Sequence, residues 1–182
     1  GGGTYRSKVE HEKYFPLEPS LVKHLIDSEC VARYAITDSG ARAIFPYVRT
    51  AAGEWDLIEL ASFPKYQAYA KRHKAARDKT KNASAFLGLE NREGGKHKAK
   101  WWGYSGKKNL EKQSLTKLVY PTTVKRLAFA LDTVGHLQDH MRVYGLATGT
   151  EDEGFFLLGV LNGSLANWYA KRISPPKANG YF

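Results

Sequence analysis

Residues 117–132, with the sequence KLVYPTTVKRLAFALD, decide the fold class that the chain predicts. The runs KLVYPTT and RLAFALD are short, apolar and broken by turn-forming residues, and HMRVYGLAT at 140–148 has the same character, which is typical of strands. Residues 155–174 carry apolar side chains at helical spacing, which predicts one long helix that stops at Pro175 and Pro176. Grouped strands and helices indicate an α+β fold, with a mixed or antiparallel sheet, a few packed helices and a long C-terminal helix.

Earlier segments predict further elements of the same fold. EPSLVKHLID at 18–27 has the apolar spacing of a short amphipathic helix. Residues 59–82 predict a longer helix with Ser62 as its N-cap. CVARYAI at 30–36 and RAIFPYV at 42–48 predict two strands, joined as a hairpin by the turn residues between them.

Length and composition predict a single domain over residues 1–182. A chain of 182 residues can bury roughly 70% of its unfolded surface, so it needs no disulfide to hold its core. Cys30 is the one cysteine, which excludes a disulfide framework, favours a cytoplasmic location and fits a core position. No apolar run approaches the ~18–20 residues of a membrane-spanning helix, so no membrane partner is expected. The start lacks a methionine, which predicts a fragment of a larger protein with residues 1–3 as a tag remnant.

The positive charge of the chain is concentrated in its middle third. The whole sequence has a net charge of +10. Between Ala61 and Arg126 there are 17 lysines and arginines against 4 aspartates and glutamates, a balance of +13, and the rest of the chain is at −3. A basic block inside a nearly neutral domain is typical of a protein that binds a polyanion. A solvated helix face followed by a lysine-rich loop would give the same count.

Residues 98–110, KAKWWGYSGKKNL, are the most distinctive part of this block. They combine two adjacent tryptophans, a tyrosine, two glycines and four lysines. Lysines neutralise phosphates without regard to base sequence, whereas asparagine, glutamine and arginine can contact base edges. Aromatic side chains either stack on bases or brace a loop from below, and in an adjacent pair such as Trp101–Trp102 strand alternation turns at least one ring toward the core.

The sequence offers one candidate metal site. His136 and His140 flank Asp139 in the segment HLQDH, and on a helix both imidazoles would face one ion. The surrounding residues alternate as in a strand, where two side chains four positions apart lie about 13 Å from each other. No phosphate-cradling loop of the GxxxxGK[ST] type is present, and no catalytic residue can be assigned.

Residues 101–132 and 155–182 together resemble the TaqI-like C-terminal specificity domain. This is the target recognition domain of adenine-N-6 DNA methyltransferases and of fused restriction–modification enzymes. In that family a tryptophan–tyrosine–glycine loop leads to an asparagine–leucine pair, as WWGYSGKKNL does here, and strands like KLV and FALD follow. RAIFPYV and FPKYQAYAKRHKAAR (63–77) resemble the preceding strand and helix, so the resemblance covers most of residues 30–182.

The resemblance implies a domain that docks on double-stranded DNA and selects the target site for a methyltransferase domain of the same chain. The family's catalytic tetrad and S-adenosylmethionine pocket lie upstream, so the resemblance implies no catalytic, cofactor-binding or metal-binding residue in this fragment. The parent would be an adenine-specific DNA methyltransferase, with or without a fused endonuclease. Residues 81–100 are more basic than the family pattern.

Within this hypothesis the candidate DNA-binding residues fall into three groups. Seven cations are expected mainly on phosphates: Lys96, Lys98, Lys100, Lys107, Lys108, Lys125 and Arg126. Tyr104, Asn109 and Gln113 are candidates for base or groove contacts. Trp101 and Trp102 would shape the loop, and the end of the C-terminal helix, WYAKRI at 168–173, would face the methyltransferase domain.

Two other classes of function stay open at this point. The first is a small metal-dependent nuclease that uses His136, Asp139 and His140. The second is a basic protein-interaction domain whose lysines meet an acidic partner, and RNA is a variant of the nucleic-acid hypothesis because the basic block is rich in aromatics.

Overall fold

The computed structural model of the chain describes residues 3–6, 14–74, 98–104, 109–139 and 141–182. The chain forms two compact units. The first unit contains residues 1–22 and 44–108, and the second contains residues 23–43 and 109–182. The expectation of a single domain stays a prediction.

Short strands outnumber the helices in the described residues. The strands are β1 (Gly3–Arg6), β2 (Tyr14–Leu17), β3 (Val22–Ile26), β4 (Val31–Ala32), β5 (Ala35–Ile36), β6 (Arg42–Ile44), β7 (Tyr47–Arg49), β8 (Trp55–Leu57), β9 (Lys117–Pro121), β10 (Ala130–Asp132), β11 (Leu137–Gln138) and β12 (Val143–Ala147). The α-helices are α1 (Pro64–Arg72), α2 (Leu110–Gln113), α3 (Glu151–Leu161) and α4 (Ser164–Ile173). Turns of 3-10 helix occupy Pro19–Leu21, Leu60–Ser62, Lys98–Lys100 and Ala178–Gly180. Small antiparallel and mixed sheets beside helices confirm the α+β class.

The first unit is built from two antiparallel strand pairs and α1. β1 pairs with β2, and β7 pairs with β8. The core is formed by Leu17, Leu21, Ile58, Tyr66 and Ala70, and Trp101 and Trp102 pack against it. Because β2 alternates exposed and buried residues, its inward face supplies Leu17 to this core.

Helix α1 takes its N-terminal cap from a distant residue. Ser62 was expected to cap it, but Ser62 ends a 3-10 turn, and the helix starts after Phe63 with no side-chain cap there. Glu18 supplies the missing acceptor instead. Its carboxylate accepts hydrogen bonds from the backbone N–H of Lys65 at 2.8 Å and of Tyr66 at 2.9 Å. A carboxylate at this position satisfies two orphan donors and complements the helix dipole.

The second unit contains two three-stranded sheets. β9 is the centre of an antiparallel sheet with β10 on one side and β12 on the other. β3 is the centre of another sheet, where it pairs in parallel with β11 and also with β6. One core cluster joins them: Ile26, Cys30, Val31, Val119, Ala130 and Val143. Cys30 is fully buried, as its apolar context predicted.

β3 corrects the expectation of a helix over residues 18–27. Only Pro19–Leu21 turn helically, as a single 3-10 turn, and the chain then extends. The backbone of this strand is bonded on both sides, because Leu25 N–H donates to Ala41 O at 3.1 Å and Asp139 N–H donates to Ile26 O at 2.9 Å. The apolar spacing of this segment suits either element, and pairing with residues far along the chain selects the strand.

The segments predicted as strands at 30–36 and 42–48 each form two short strands, and their pairing as one hairpin is wrong. β4 and β5 form a hairpin of their own within residues 31–36. Its turn is made by Arg33 and Tyr34, and Tyr34 adopts a left-handed φ of 69°. β6 and β7 pair elsewhere, with β3 and β8 respectively.

The long C-terminal helix is replaced by two helices, α3 and α4. The break falls at Asn162 and Gly163. Asn162 is buried, and its side chain is bonded to the backbone of Phe129. At Gly163 an added Cβ would lie 2.9 Å from Val160 O, so this turn has no room for a side chain. Helical spacing of apolar residues continued across the break, which is why the sequence predicted one helix.

Candidate nucleic-acid interface

The segment Trp101–Tyr104 is fastened to the first unit by its aromatic side chains and backbone. Trp102 Nε1–H donates to Ile58 O at 3.1 Å, and Trp102 O accepts from the Tyr66 hydroxyl at 2.7 Å. Tyr104 N–H donates to the Tyr47 hydroxyl oxygen at 2.7 Å, and the Tyr104 hydroxyl donates to Ile44 O. These four bonds make Trp101–Tyr104 an anchor for the lysine-rich sequence on either side of it. We call Trp101–Tyr104 the aromatic anchor.

Gly103 lets the aromatic anchor lie close to the strands of the first unit. A Cβ at this position would be 3.2 Å from both terminal methyl carbons of Leu57 and 3.3 Å from the Tyr47 hydroxyl oxygen. These separations are shorter than ordinary van der Waals contacts. The glycine in this loop is therefore required by packing within the unit.

The two tryptophans have different surroundings. Their rings meet edge to face with centroids 5.8 Å apart. Trp102 is held by its indole hydrogen bond, whereas Trp101 has Lys74 Nζ 5.4 Å from its ring centroid. Both rings are half-buried. The expectation that at least one tryptophan has a structural role therefore agrees with this geometry.

The cations next to the aromatic anchor are only partly described. Lys100 ends a 3-10 turn and is exposed, and its carbonyl accepts from Gly103 N–H at 3.1 Å. The backbone of Lys98 lies in the same turn. The side chain of Lys98 and all of Lys96, Lys107 and Lys108 lie outside the described residues.

The remaining predicted site residues belong to the second unit. Asn109 precedes α2, is exposed and has a left-handed φ of 59°. Gln113 ends α2 and is half-buried. Lys125 and Arg126 are exposed in the loop that follows β9. The predicted site residues are thus divided between the units. The first unit holds Lys100, Trp101, Trp102 and Tyr104, and the second holds Asn109, Gln113, Lys125 and Arg126.

The loop after β9 is joined to the end of the chain. Val124 and Phe182 exchange both backbone hydrogen bonds, at 3.2 Å and 3.0 Å. Lys125 Nζ lies 4.9 Å from the centroid of the Tyr181 ring, and Lys177 Nζ donates to Thr123 Oγ1 at 2.9 Å. The sequence did not single out Thr123, Lys177 or Tyr181, because this pairing joins segments more than 50 residues apart.

A buried polar cluster in the second unit was also missed. Asp132 is fully buried, and its carboxylate accepts from Lys117 Nζ at 2.7 Å and faces His136 Nδ1 at 2.9 Å. The same carboxylate accepts three backbone N–H groups from residues 134–136. Burial raises the pKa of Asp132, but the Lys117 hydrogen bond and charge, His136 and the Gly135 N–H together outweigh it, so the pKa lies below its usual value. A buried ion pair with this many bonds is typical of a structural centre.

Two of the three candidate metal residues, His136 and Asp139, bond to other groups in the described part of the chain. His136 Nδ1 is bonded to Asp132, and the His136 ring packs edge to face on His24 with centroids 4.5 Å apart. Asp139 Oδ1 accepts from Met141 N–H at 3.1 Å, and His140 lies outside the described residues. In the described part of the chain, no three histidine, cysteine, aspartate or glutamate side chains are grouped to hold an ion.

The pKa of His24 is lowered from its usual value. Burial is the main cause, and the nearby His136 and Arg42 act in the same direction. Asp38, whose Oδ1 lies 3.0 Å from His24 Nε2, acts against them. Since the lowered pKa favours the neutral ring, His24 packs on His136 as an uncharged aromatic side chain at neutral pH.

Comparison with known proteins gave no match to any family model or any curated protein. The resemblance to the TaqI-like specificity domain therefore rests on its sequence motifs alone and stays a prediction. Within the described residues, no helix is both long enough and apolar enough to span a membrane.

Proposed function

We propose that this chain is a sequence-specific recognition domain for double-stranded DNA, which positions an adenine-N-6 methyltransferase domain of the same polypeptide on its target site. The aromatic anchor carries this proposal. It fixes the middle of the lysine-bearing segment 98–110 to a folded core while Lys100 stays exposed to solvent. A basic segment held in this way can present its cations to a polyanion at low entropic cost.

Charge supports DNA as the partner. Residues 61–126 carry a balance of +13, counted above, and the anchor lies inside that range. Contacts of lysine and arginine with phosphate release counterions and supply most of the sequence-independent affinity of DNA-binding proteins. In the proposal Lys96, Lys98, Lys100, Lys107, Lys108, Lys125 and Arg126 provide these contacts.

The geometry favours bracing over base contact for two of the candidates, Trp102 and Tyr104. The Tyr104 hydroxyl and backbone N–H are both bonded within the first unit, and the Trp102 indole N–H is bonded to Ile58. Asn109 is exposed and is the stronger candidate for a base edge, which its side-chain amide can bind as donor and acceptor. Gln113 stays a candidate from sequence.

Exposed apolar side chains on α3 and α4 support a protein partner as well as DNA. Phe156, Leu165, Trp168 and Ile173 are each more than half exposed. Exposed apolar surface of this kind is typical of protein interfaces. In the proposal this face meets the methyltransferase domain, which supplies the reaction and binds S-adenosylmethionine, and the assembly works in the cytoplasm.

The decisive experiment is binding to random-sequence duplexes of about three helical turns (~30 base pairs), with the bound fraction sequenced. Fluorescence anisotropy from about 50 to 200 mM salt should show affinity that falls steeply as salt rises. An enriched short motif would support specific recognition. Heparin that competes as well as the selected duplex would favour the basic protein-interaction domain instead.

A paired substitution tests the residue roles. Lys107→Ala with Lys108→Ala should weaken binding to every duplex and reduce the salt slope by about 0.9 for each lysine that contacts phosphate. Lys8→Ala with Lys13→Ala removes the same charge outside the basic block and should leave the slope unchanged. If the two double variants have the same affinity and the same salt slope, the 98–110 segment is not part of the interface.

A further inference from the structure

We infer that the C-terminal tail and the loop after β9 form a second phosphate-binding site, built by Thr123, Lys125, Lys177 and Tyr181. We call these four residues the tail clamp. The inference rests on the proposed DNA-binding function and adds to it a contact that lies in the second unit. Its starting point is the pair Val124–Phe182, which exchanges both backbone hydrogen bonds.

The pairing places the four side chains on one side of the backbone. In an antiparallel pair, residues that flank the bonded pair point to the opposite face from it. Val124 and Phe182 are half-buried, whereas Thr123, Lys125 and Tyr181 are exposed, as this alternation requires. The contacts of Lys125 with Tyr181 and of Lys177 with Thr123 show that the clamp residues meet across the pair.

The backbone of the tail holds Lys177 and Tyr181 in place. Lys177 N–H donates to Tyr181 O at 2.8 Å, which closes a loop over residues 177–181. Gly180 within this loop has a left-handed φ of 75°, a conformation that glycine adopts without strain. A preformed loop loses little conformational freedom when a ligand binds to it.

Both lysines keep their charge available to a ligand. Lys177 donates to a hydroxyl and Lys125 lies against an aromatic face, and neither contacts a carboxylate in the described part of the chain. Residues 112–131 and 154–182 contain no aspartate or glutamate. Arg126, Lys171 and Arg172 are further exposed cations in the same two segments.

The four side chains match the chemistry of a phosphate group. Lysine, threonine and tyrosine side chains are common donors to DNA phosphate oxygens. Because Thr123 Oγ1 accepts from Lys177 Nζ, its own hydroxyl hydrogen is free to turn toward an anion. The ammonium groups of Lys125 and Lys177 supply the charge, and the backbone of a duplex supplies phosphates regardless of sequence.

The test uses the full chain and the random duplexes described above. Lys177→Ala should reduce the salt slope by about 0.9. Over the tenfold range from 1 M to 0.1 M salt, that change of slope weakens binding at 0.1 M by roughly eightfold. Lys177→Ala combined with Lys125→Ala should reduce the slope by about 1.8. Lys177→Arg keeps the charge and should bind within about twofold of the unchanged chain.

Lys23→Ala is the matched control, because Lys23 is an exposed lysine of the second unit outside both segments of the clamp. If Lys177→Ala lowers the melting temperature, Lys177→Gln replaces it, since glutamine keeps part of the side-chain stem. If Lys177→Ala and Lys23→Ala bind DNA with the same salt slope, the tail clamp is wrong and the proposed function is untouched. A chain that binds no duplex at any salt overturns the proposed function and the clamp together.

Discussion

The side-chain amide of Asn162 completes both backbone hydrogen bonds of Phe129. Asn162 Oδ1 accepts from Phe129 N–H at 3.0 Å, and Asn162 Nδ2 donates to Phe129 O at 2.8 Å. Both residues are buried, and the Phe129 carbonyl also accepts from Tyr34 N–H at 2.9 Å, whereas among the described residues the Phe129 N–H is bonded by the Asn162 side chain. The same residue marks the break between α3 and α4 and receives a hydrogen bond from Arg33 on its carbonyl.

Replacing Asn162 should therefore destabilise the chain more than its size suggests. Asn162→Leu keeps the volume but leaves the buried N–H of Phe129 without its partner and its carbonyl with the Tyr34 N–H alone, which should cost about 2–3 kcal/mol. Urea unfolding followed by circular dichroism would measure the loss. Asn167→Ala is the graded control, because Asn167 Oδ1 accepts one bond from Leu127 N–H and its loss should cost about 1 kcal/mol. Equal costs for the two variants would contradict the role of Asn162.

Two glycines four residues apart should respond to alanine with opposite signs. Gly159 lies inside α3 with open space around it, so Gly159→Ala should stabilise the chain by about 0.5–1 kcal/mol. At Gly163 the new Cβ would meet the backbone carbonyl of Val160, and the shift that this requires should cost about 1–3 kcal/mol. Thermal unfolding of the two variants compares them directly. Stabilisation by both would show that the α3–α4 corner tolerates a side chain.

A substitution in the aromatic anchor should lower stability without changing the salt dependence of DNA binding. Trp102→Phe removes the hydrogen bond to buried Ile58 O and should lower the free energy of unfolding by about 1–2 kcal/mol. The salt slope of DNA binding should stay unchanged in the folded variant, since no cation is removed. In Trp101→Phe no such bond is lost among the described residues, so its effect on stability should be smaller. If Trp102→Phe is fully folded but binds DNA much more weakly, Trp102 stacks on a base instead of bracing the loop.

Acid unfolding should depend on Lys117. Since the pKa of Asp132 lies below its unfolded value, this carboxylate contributes stability that is fully present above about pH 4 and is lost as pH falls through the folded pKa. Lys117→Met removes the main group that lowers this pKa. The pKa of Asp132 in the folded variant then rises toward its unfolded value or above it, so this carboxylate loses less stability as the pH falls.

Lys117→Met should also cost about 3–5 kcal/mol near neutral pH, because it leaves a buried carboxylate without its cation. Unfolding free energies measured from pH 7 down to pH 3 would show both effects. Lys112→Met, at an exposed lysine on α2, should follow the unchanged chain at every pH. The same change of unfolding free energy between pH 7 and pH 3 in all three proteins would contradict the role of the Lys117–Asp132 pair.

The fold class followed from local patterns, and the errors came from long-range contacts. β9 and β12 were predicted because short apolar runs broken by turn-forming residues suffice to identify them. β3 was expected as a helix, since only its bonds to Ala41 and Asp139 decide for a strand. The break at Asn162 was missed because the buried partner of that residue, Phe129, lies 33 positions earlier in the chain.

The candidate site divides in the same way. The bracing role of Trp101 and Trp102 was expected from an adjacent aromatic pair, and the structure supplies its hydrogen bond and ring contacts. Tyr104 was expected at a base or groove, yet its polar groups are bonded to Tyr47 and Ile44. Lys177 could not be identified, because the sequence does not show that the tail returns to Thr123.

Helix α1 depends on a carboxylate that lies 47 positions before the first residue it caps. A peptide cut from residues 59–74 would lack Glu18, and nine helical residues are too few to persist alone in water. The stability of α1 thus depends on contacts with the segment that follows β2. Through Glu18, a change that loosens that segment would also weaken α1.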